Sequence, residues 1–246
     1  MTSLQPVKPV ALVVGASRGI GRQIAIDLAS NGYRGVSQFL ATAGDHHLWC
    51  ICSDSFTVVV SAKTTSDASI CQPFSPDPNS PSSTINTVAR EITETDGEAT
   101  AIPVDVQSHE SIQSPVDKTI ETYGHIDTLV YNSGAIWWNS VQNTPVRRFQ
   151  LMQRINPEGL YATVQTCLSH FEENGWKGRI VAVCPPIYSR FFRGKTAYAM
   201  GKVGMSVLVK GLAMDWEREG KGEMAITGIW PATVCLGFRK DRHGKV

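Results

Sequence analysis

A short apolar run, Val10-Ala11-Leu12-Val13-Val14, ends directly in Gly15-Ala16-Ser17-Arg18-Gly19-Ile20-Gly21. No other feature limits the fold so strongly. Five apolar residues stopped by glycine read as a buried strand. Ile20, Ile24 and Leu28 then recur at helical spacing until Asn31-Gly32 stops them. A strand that turns through glycines straight into a helix gathers free N–H groups and the positive end of a helix dipole at one point. Gly15 allows the tight turn, Gly19 lets a phosphate approach the backbone, and Gly21 lets the helix pack closely. Glycines also end strands for purely structural reasons, so the strand–turn–helix context is what favours a phosphate cradle.

The alternation continues along the chain. The pattern predicts strands over Val58–Val60, Ala99–Val106, Ile126–Tyr131, Arg179–Cys184 and Ala225–Trp230. Between them it predicts helices over Ile20–Ser30, Ser83–Thr95, Ser108–Tyr123, Thr144–Phe171 and Thr196–Glu219. Buried apolar strands alternating with helices imply a parallel sheet covered on both faces. The expected fold is a Rossmann-type doubly wound α/β domain. At 246 residues and 42% hydrophobic, the chain suffices for one such domain, 1–246. Pro115 falls inside one predicted helix, which either starts at Ser114 as N-cap with Pro115 first or is kinked.

The net charge of +1, with no run of five like charges, argues against nucleic-acid binding. No apolar stretch approaches the ~20 residues that span a bilayer. Met1–Pro9 has no signal-peptide core, and the final residues are neither a peroxisomal tripeptide nor a lipidation box, so a cytoplasmic protein is expected. Its six cysteines are expected to be reduced.

A second motif lies far downstream, Tyr198-Ala199-Met200-Gly201-Lys202. Residues four apart share a helix face. A free phenol has a pKa of ~10, and a nearby ammonium favours its ionised form. Such a pair can hand a proton to a carbonyl oxygen or take it back. Between the two motifs, Pro157 disfavours helix geometry at Asn156 and predicts a local break that frees a carbonyl there.

Taken together, Gly15 to Gly21, Asp105-Val106, Asn132-Ser133-Gly134, Asn156 and Tyr198 to Lys202 resemble the short-chain dehydrogenase/reductase family. Order and spacing match from residue 10 to about 34 and from 58 to about 231. Ser61-Ala62-Lys63-Thr64, Val183-Cys184-Pro185-Pro186 and Ala197 to Ser206 most resemble its hydroxysteroid dehydrogenase-like 2 group. The resemblance implies an oxidoreductase that interconverts a small-molecule carbonyl and alcohol by hydride transfer. Tyr198 would be the general acid/base, Lys202 would tune it and hold the cofactor ribose, and Asn156 would support a proton relay. Cofactor would bind at Gly15, Ser17, Arg18, Gly19, Ile20, Gly21, Lys63, Asp105, Asn132 and Lys202, with Asp105 on the adenine and Asn132 at the floor. NAD binding in this family calls for an acidic residue at the end of the second strand. Ala62-Lys63 stands there instead, with no carboxylate until Asp67 and with Arg18 in the glycine loop. Two cations suit a 2′-phosphate, which favours NADP over NAD. The family often forms homo-oligomers through two long helices, here 144–171 and 196–219.

One departure stands out. The family's substrate-polarising serine falls 13 residues before the tyrosine, and that position is Pro185. Cys184 beside it offers only a weak thiol donor, and Ser189 lies nearby. Loss of one oxyanion donor costs on the order of 10²–10³ in rate. The alternative reading is therefore a catalytically impaired nucleotide-binding pseudoenzyme. Trp137, Trp138, Ile187, Phe191 and Phe192 form either an apolar pocket wall or core.

Two regions depart from the alternation. Removing 35–57 joins Arg34 to Val58 in a continuous family-like strand, so that block reads as an atypical insertion, retained from an intron. Its His46, His47, Cys50 and Cys52 do not have structural zinc spacing, and no metal site is expected. The stretch 236–246 reads as an atypical polar tail where the family continues with a substrate loop, a helix and a seventh strand, leaving a bare, truncated sheet edge.

Overall fold

The computed structural model describes residues 8–31, 56–66, 82–185 and 192–231. Residues 35–55 of the atypical block, Ser189, Ile187, Phe191 and the tail 236–246 lie outside the described residues.

Six strands form one parallel sheet: β1 (Val10–Val14), β2 (Thr57–Ala62), β3 (Glu98–Pro103), β4 (Thr128–Tyr131), β5 (Gly178–Val183) and β6 (Met224–Ile229). Their order is β3-β2-β1-β4-β5-β6. The chain starts in the middle, winds outward one way, then crosses back and winds outward the other way. The reversal between β1 and β4 opens a crevice at the carboxyl ends of those strands, where ligands of such sheets bind. Val13 stands opposite both Val60 and Val130 in the register.

Every residue of β1 and β2 is buried, because helices cover both faces. Ala11, Val13, Val58 and Val60 face α1 (Gly19–Asn31) and α2 (Ile85–Glu94), packing on Ala25, Leu28, Val88 and Ile92. Leu12, Val59 and Leu129 face the opposite side. There α3 (His109–Tyr123), α5 (Gly159–Glu173) and α6 (Thr196–Arg218) bring Val116, Leu160, Val164, Phe171 and Met205. Arg22 of α1 holds both carboxylate oxygens of Glu91 on α2 at 2.6 Å.

The doubly wound expectation is met, with local corrections. The prospect of a helix starting at Ser114 fails. Ser108 is the N-cap, accepting the Ser111 N–H at 3.2 Å, and α3 runs through Pro115. Burial of Pro115 offsets the lost donor, and the Ser111 hydroxyl anchors the first turn by accepting the Asp105 N–H. β3 stops at Pro103 rather than Val106 because β2, its one neighbour, ends at Ala62. β2 begins before Val58: Thr57 pairs with Val10 and Glu98, and Phe56 is fully buried. The last two residues preceding Val58 thus belong to the sheet and its core. The long helix predicted over Thr144–Phe171 is three pieces: α4 (Val146–Gln153), a π-helical turn (Arg154–Glu158) and α5. Among the described residues no helix is long and apolar enough to cross a membrane.

Candidate functional site

The glycine turn is built by close approach. Gly15 has φ +91°, and a Cβ on it would lie 2.5 Å from the Ser133 nitrogen. Only glycine lets β1 and the end of β4 meet there. Gly15 and Ala16 N–H groups donate to the Ser61 carbonyl of β2, and Asn132 Nδ2 donates to the Gly15 carbonyl at 3.0 Å. Ser17 is buried, and its carbonyl accepts the Ser83 hydroxyl. Gly19, Ile20 and Gly21 open α1, whose N-terminus faces the turn. The turn therefore joins three strands and ends in a helix dipole.

Each of the expected cations has its own partner at the β2 exit. Arg18 donates to the Thr64 hydroxyl at 3.2 Å, and Lys63 Nζ lies 2.6 Å from Asp105 Oδ2. Lys63 holds the Asp105 carboxyl below its usual range, helped by the Gln107 N–H. Asp105 is thus engaged with Lys63 rather than presented alone.

The residues expected to handle the proton lie on the β4–β5 side of the sheet. Lys202 is 7% exposed, and its ammonium donates to the Val183 carbonyl at 2.9 Å. Desolvation pulls it down to about 8 from 10.5. Asn156 is fully buried in the π turn. Its Oδ1 accepts the Ala135 N–H at 2.9 Å and its Nδ2 donates to the Ala135 carbonyl at 3.1 Å. The predicted break is therefore real, and the Gly159 N–H is shared between the Arg154 and Asn156 carbonyls. A Cβ built on Gly134 would stand 3.4 Å from Asn156 Oδ1 and 3.6 Å from Lys202 Nζ, so both groups converge on that backbone. Tyr198 is half-buried on the same helix as Lys202, edge-on to Trp138 with ring centroids 6.4 Å apart. Burial pushes its phenol up to about 12. Desolvation is the cause, since burial disfavours the charged phenolate.

Cys184 is buried, and its N–H donates to the Ile229 carbonyl. Burial raises its thiol, with the Lys202 charge opposing. It sits at the Pro185 end of β5 as a packed side chain. Trp137 and Trp138 follow Gly134, with the Arg148 guanidinium 4.7 Å from the Trp137 ring centre.

Sequence reasoning passed over Tyr131. Its hydroxyl donates to the Ile155 carbonyl at 2.6 Å inside the π turn. It lies so close to Gly159 that a side chain there would collide with it. A phenol closing the buried run Leu129-Val130-Tyr131 was the available signal.

The architecture and this turn define a Rossmann-type α/β protein whose crevice holds a tyrosine, a buried lysine and a buried asparagine. The chain belongs to the short-chain dehydrogenase family, whose model matches residues 79–243. It is 32% identical to hydroxysteroid dehydrogenase-like protein 2 of Bos taurus over 234 residues, 94% of this chain and 47% of that one. The chain thus spans about half the length of the curated relatives it matches. A short chain dehydrogenase from Mycobacterium thermoresistibile superposes with a TM-score of 0.70 at 29% identity, covering 93% of this chain and 69% of that one. Two neighbours share the fold more distantly. Actinorhodin polyketide ketoreductase, solved with NADPH, has a TM-score of 0.70 at 21% identity over 93% of this chain and 71% of that one. 7α-Hydroxysteroid dehydrogenase, solved with NADH and 7-oxo glycochenodeoxycholic acid, has a TM-score of 0.68 at 23% identity over 93% and 72%.

Tyr131→Phe keeps the ring and strands the Ile155 carbonyl. It should lower stability by about 1–3 kcal/mol, with faster amide exchange at 154–159 in hydrogen-exchange mass spectrometry. Lys202 gives a pH signature. Between about 8 and 10.5 the folded chain binds fewer protons at this group than the unfolded chain, so its contribution to stability rises with pH. Relative to Lys202→Met, the native chain should gain about 1 kcal/mol per pH unit from pH 8 to about 10, read from melts in matched buffers.

Proposed function

We propose that the chain is an NADP-dependent oxidoreductase that interconverts a carbonyl and an alcohol. The observation that carries this reading is the convergence of Lys202 and Asn156 on Gly134, two residues past Asn132, whose amide clasps the glycine turn. Phosphate chemistry and proton chemistry thereby meet on one rigid segment.

The residues fit a dinucleotide. Gly15 and Gly21 let the turn close tightly against Asn132 and Ser133, and α1 offers its free N–H groups there to a pyrophosphate. Arg18 and Lys63 share the β2 exit and fit a ribose 2′-phosphate, with Asp105 orienting Lys63. Lys202 fits the nicotinamide ribose, and Asn132 shapes the floor. When bound, the nicotinamide supplies or accepts the hydride. Tyr198 gives its proton to the substrate oxygen or takes it back. Lys202, charged below about pH 8, favours the phenolate that results. Asn156 holds the Ala135 backbone beneath this pair.

One observation favours a second reading, nucleotide binding without turnover. Pro185 has no donor and Cys184 is buried as packing, so neither replaces the missing serine; Ser189 is the remaining candidate.

NADPH titration by fluorescence followed by a carbonyl panel separates the two. Turnover that Tyr198→Phe lowers about 10²–10⁴-fold, with NADPH affinity unchanged, supports the oxidoreductase. Tight NADPH binding with no oxidation supports the second reading. Arg18→Ala with Lys63→Ala should erase any preference for NADPH over NADH. The chain should also self-associate. Met200, Val207 and Met214 recur every seven residues on α6 and are exposed by 57%, 63% and 60%. Val207→Glu should shift an oligomer toward monomer by light scattering.

A further inference from the structure

The loop after β4 carries two neighbouring indoles, each paired with a cation from a different element. Arg148 of α4 stacks over Trp137. Lys195, the N-cap residue of α6, places Nζ 4.8 Å from the Trp138 ring centre. Trp138 also meets Tyr198 edge-on and is 57% exposed. Together with exposed Ile136 and Val141 it leaves an apolar patch beside a candidate proton donor, the kind of surface at which ligands bind. Building on the reading above, we propose that this mouth selects a carbonyl substrate bearing an oxyanion, a carboxylate or a phosphate, on an apolar body, with Trp138 as the seat and Lys195 as the counter-charge.

The charge distribution supports this independently. Residues 132–157 and 192–209 contain Arg147, Arg148, Arg154, Arg193, Lys195 and Lys202 but no Asp or Glu, in a chain whose net charge is only +1. Of these, Arg148 and Lys195 are the cations seated on the indoles, and cations unbalanced by carboxylates attract ligands of the opposite sign. The topology separates these cations from those suited to the cofactor. Arg18 and Lys63 sit on the β1–β2 side of the crevice, and Trp138 and Lys195 on the β4–β5 side. Exposed Ile136 and Val141 flank the indoles and supply apolar surface for the body of such a substrate. The Lys195–Trp138 stack fixes the indole plane, and an ammonium with several donors can still meet an oxyanion at the ring edge.

The test uses the full chain with NADP and three probes: 4-acetylbenzoate, its methyl ester and 4-acetylphenyl phosphate. Binding is read by tryptophan fluorescence quenching, and turnover separately with NADPH. The acid should bind about tenfold tighter than the ester, as expected for one charge-assisted hydrogen bond. Lys195→Gln should reduce that ratio to near one, while Lys210→Gln, farther along α6, should keep it. Trp138→Leu should weaken both ligands. The stronger of acid and phosphate identifies which oxyanion the mouth takes. Equal binding of acid and ester by the native chain, or a ratio that survives Lys195→Gln, overturns the proposal. So does retention on phosphatidylserine vesicles without acid–ester discrimination, which assigns the mouth to a lipid surface. Discrimination in binding with no turnover of any probe would leave this proposal standing and refute the oxidoreductase reading; turnover without discrimination would do the reverse.

Discussion

The structure depends on how closely the first strand approaches the fourth. The Asn132 and Ser133 N–H groups both donate to the Val14 carbonyl, and the Asn132 side chain adds a bond to Gly15. A side chain at Gly15 would push these strands apart. With that junction closed, the crevice between β1 and β4 has a fixed floor. The segment from Asn132 to Ala135 then becomes a rail on which Asn156 and Lys202 are placed. The glycine turn and the Asn156–Lys202 pair are separated in sequence but share this strip of backbone.

Burial then sets the electrostatics. Lys202 loses water and gains one carbonyl partner, which leaves its ammonium less stable than in solution. Tyr198 loses water as well, which holds it neutral. The two shifts run in opposite directions, so the lysine is neutralised at a lower pH and the phenol at a higher one. Cys184, next to Lys202, is pushed toward the neutral thiol by the same desolvation. It fills space behind the pair.

A further layer supports the asparagine. Pro157 interrupts the helical ladder, and the chain answers with a π turn rather than a sharp kink. Tyr131 supports the π turn by donating to the Ile155 carbonyl, and Gly159 leaves the room its hydroxyl needs. Asn156 is thereby turned away from its own helix and onto Ala135. Its placement depends on one buried phenol from the central sheet.

Local patterns carried the fold. Apolar runs, helical spacing, glycine stops and the four-residue step from Tyr198 to Lys202 act within a few residues, so the sequence alone determined the strand–helix alternation, the turn after β1 and the shared face of the pair. It also exposed Pro157 as a break. Pairings between distant residues were decided elsewhere. Lys63 with Asp105 spans 42 positions, Asn132 with Gly15 spans 117, and Tyr131 with Ile155 spans 24. Continuation of α3 through Pro115 rested on a cap seven residues earlier and on burial of the ring. The rise in Tyr198 likewise came from the side chains packed around it. Spacing along a chain fixes which groups share a face, but desolvation and partner choice depend on what the folded neighbours place there, and that is settled only when the sheet closes.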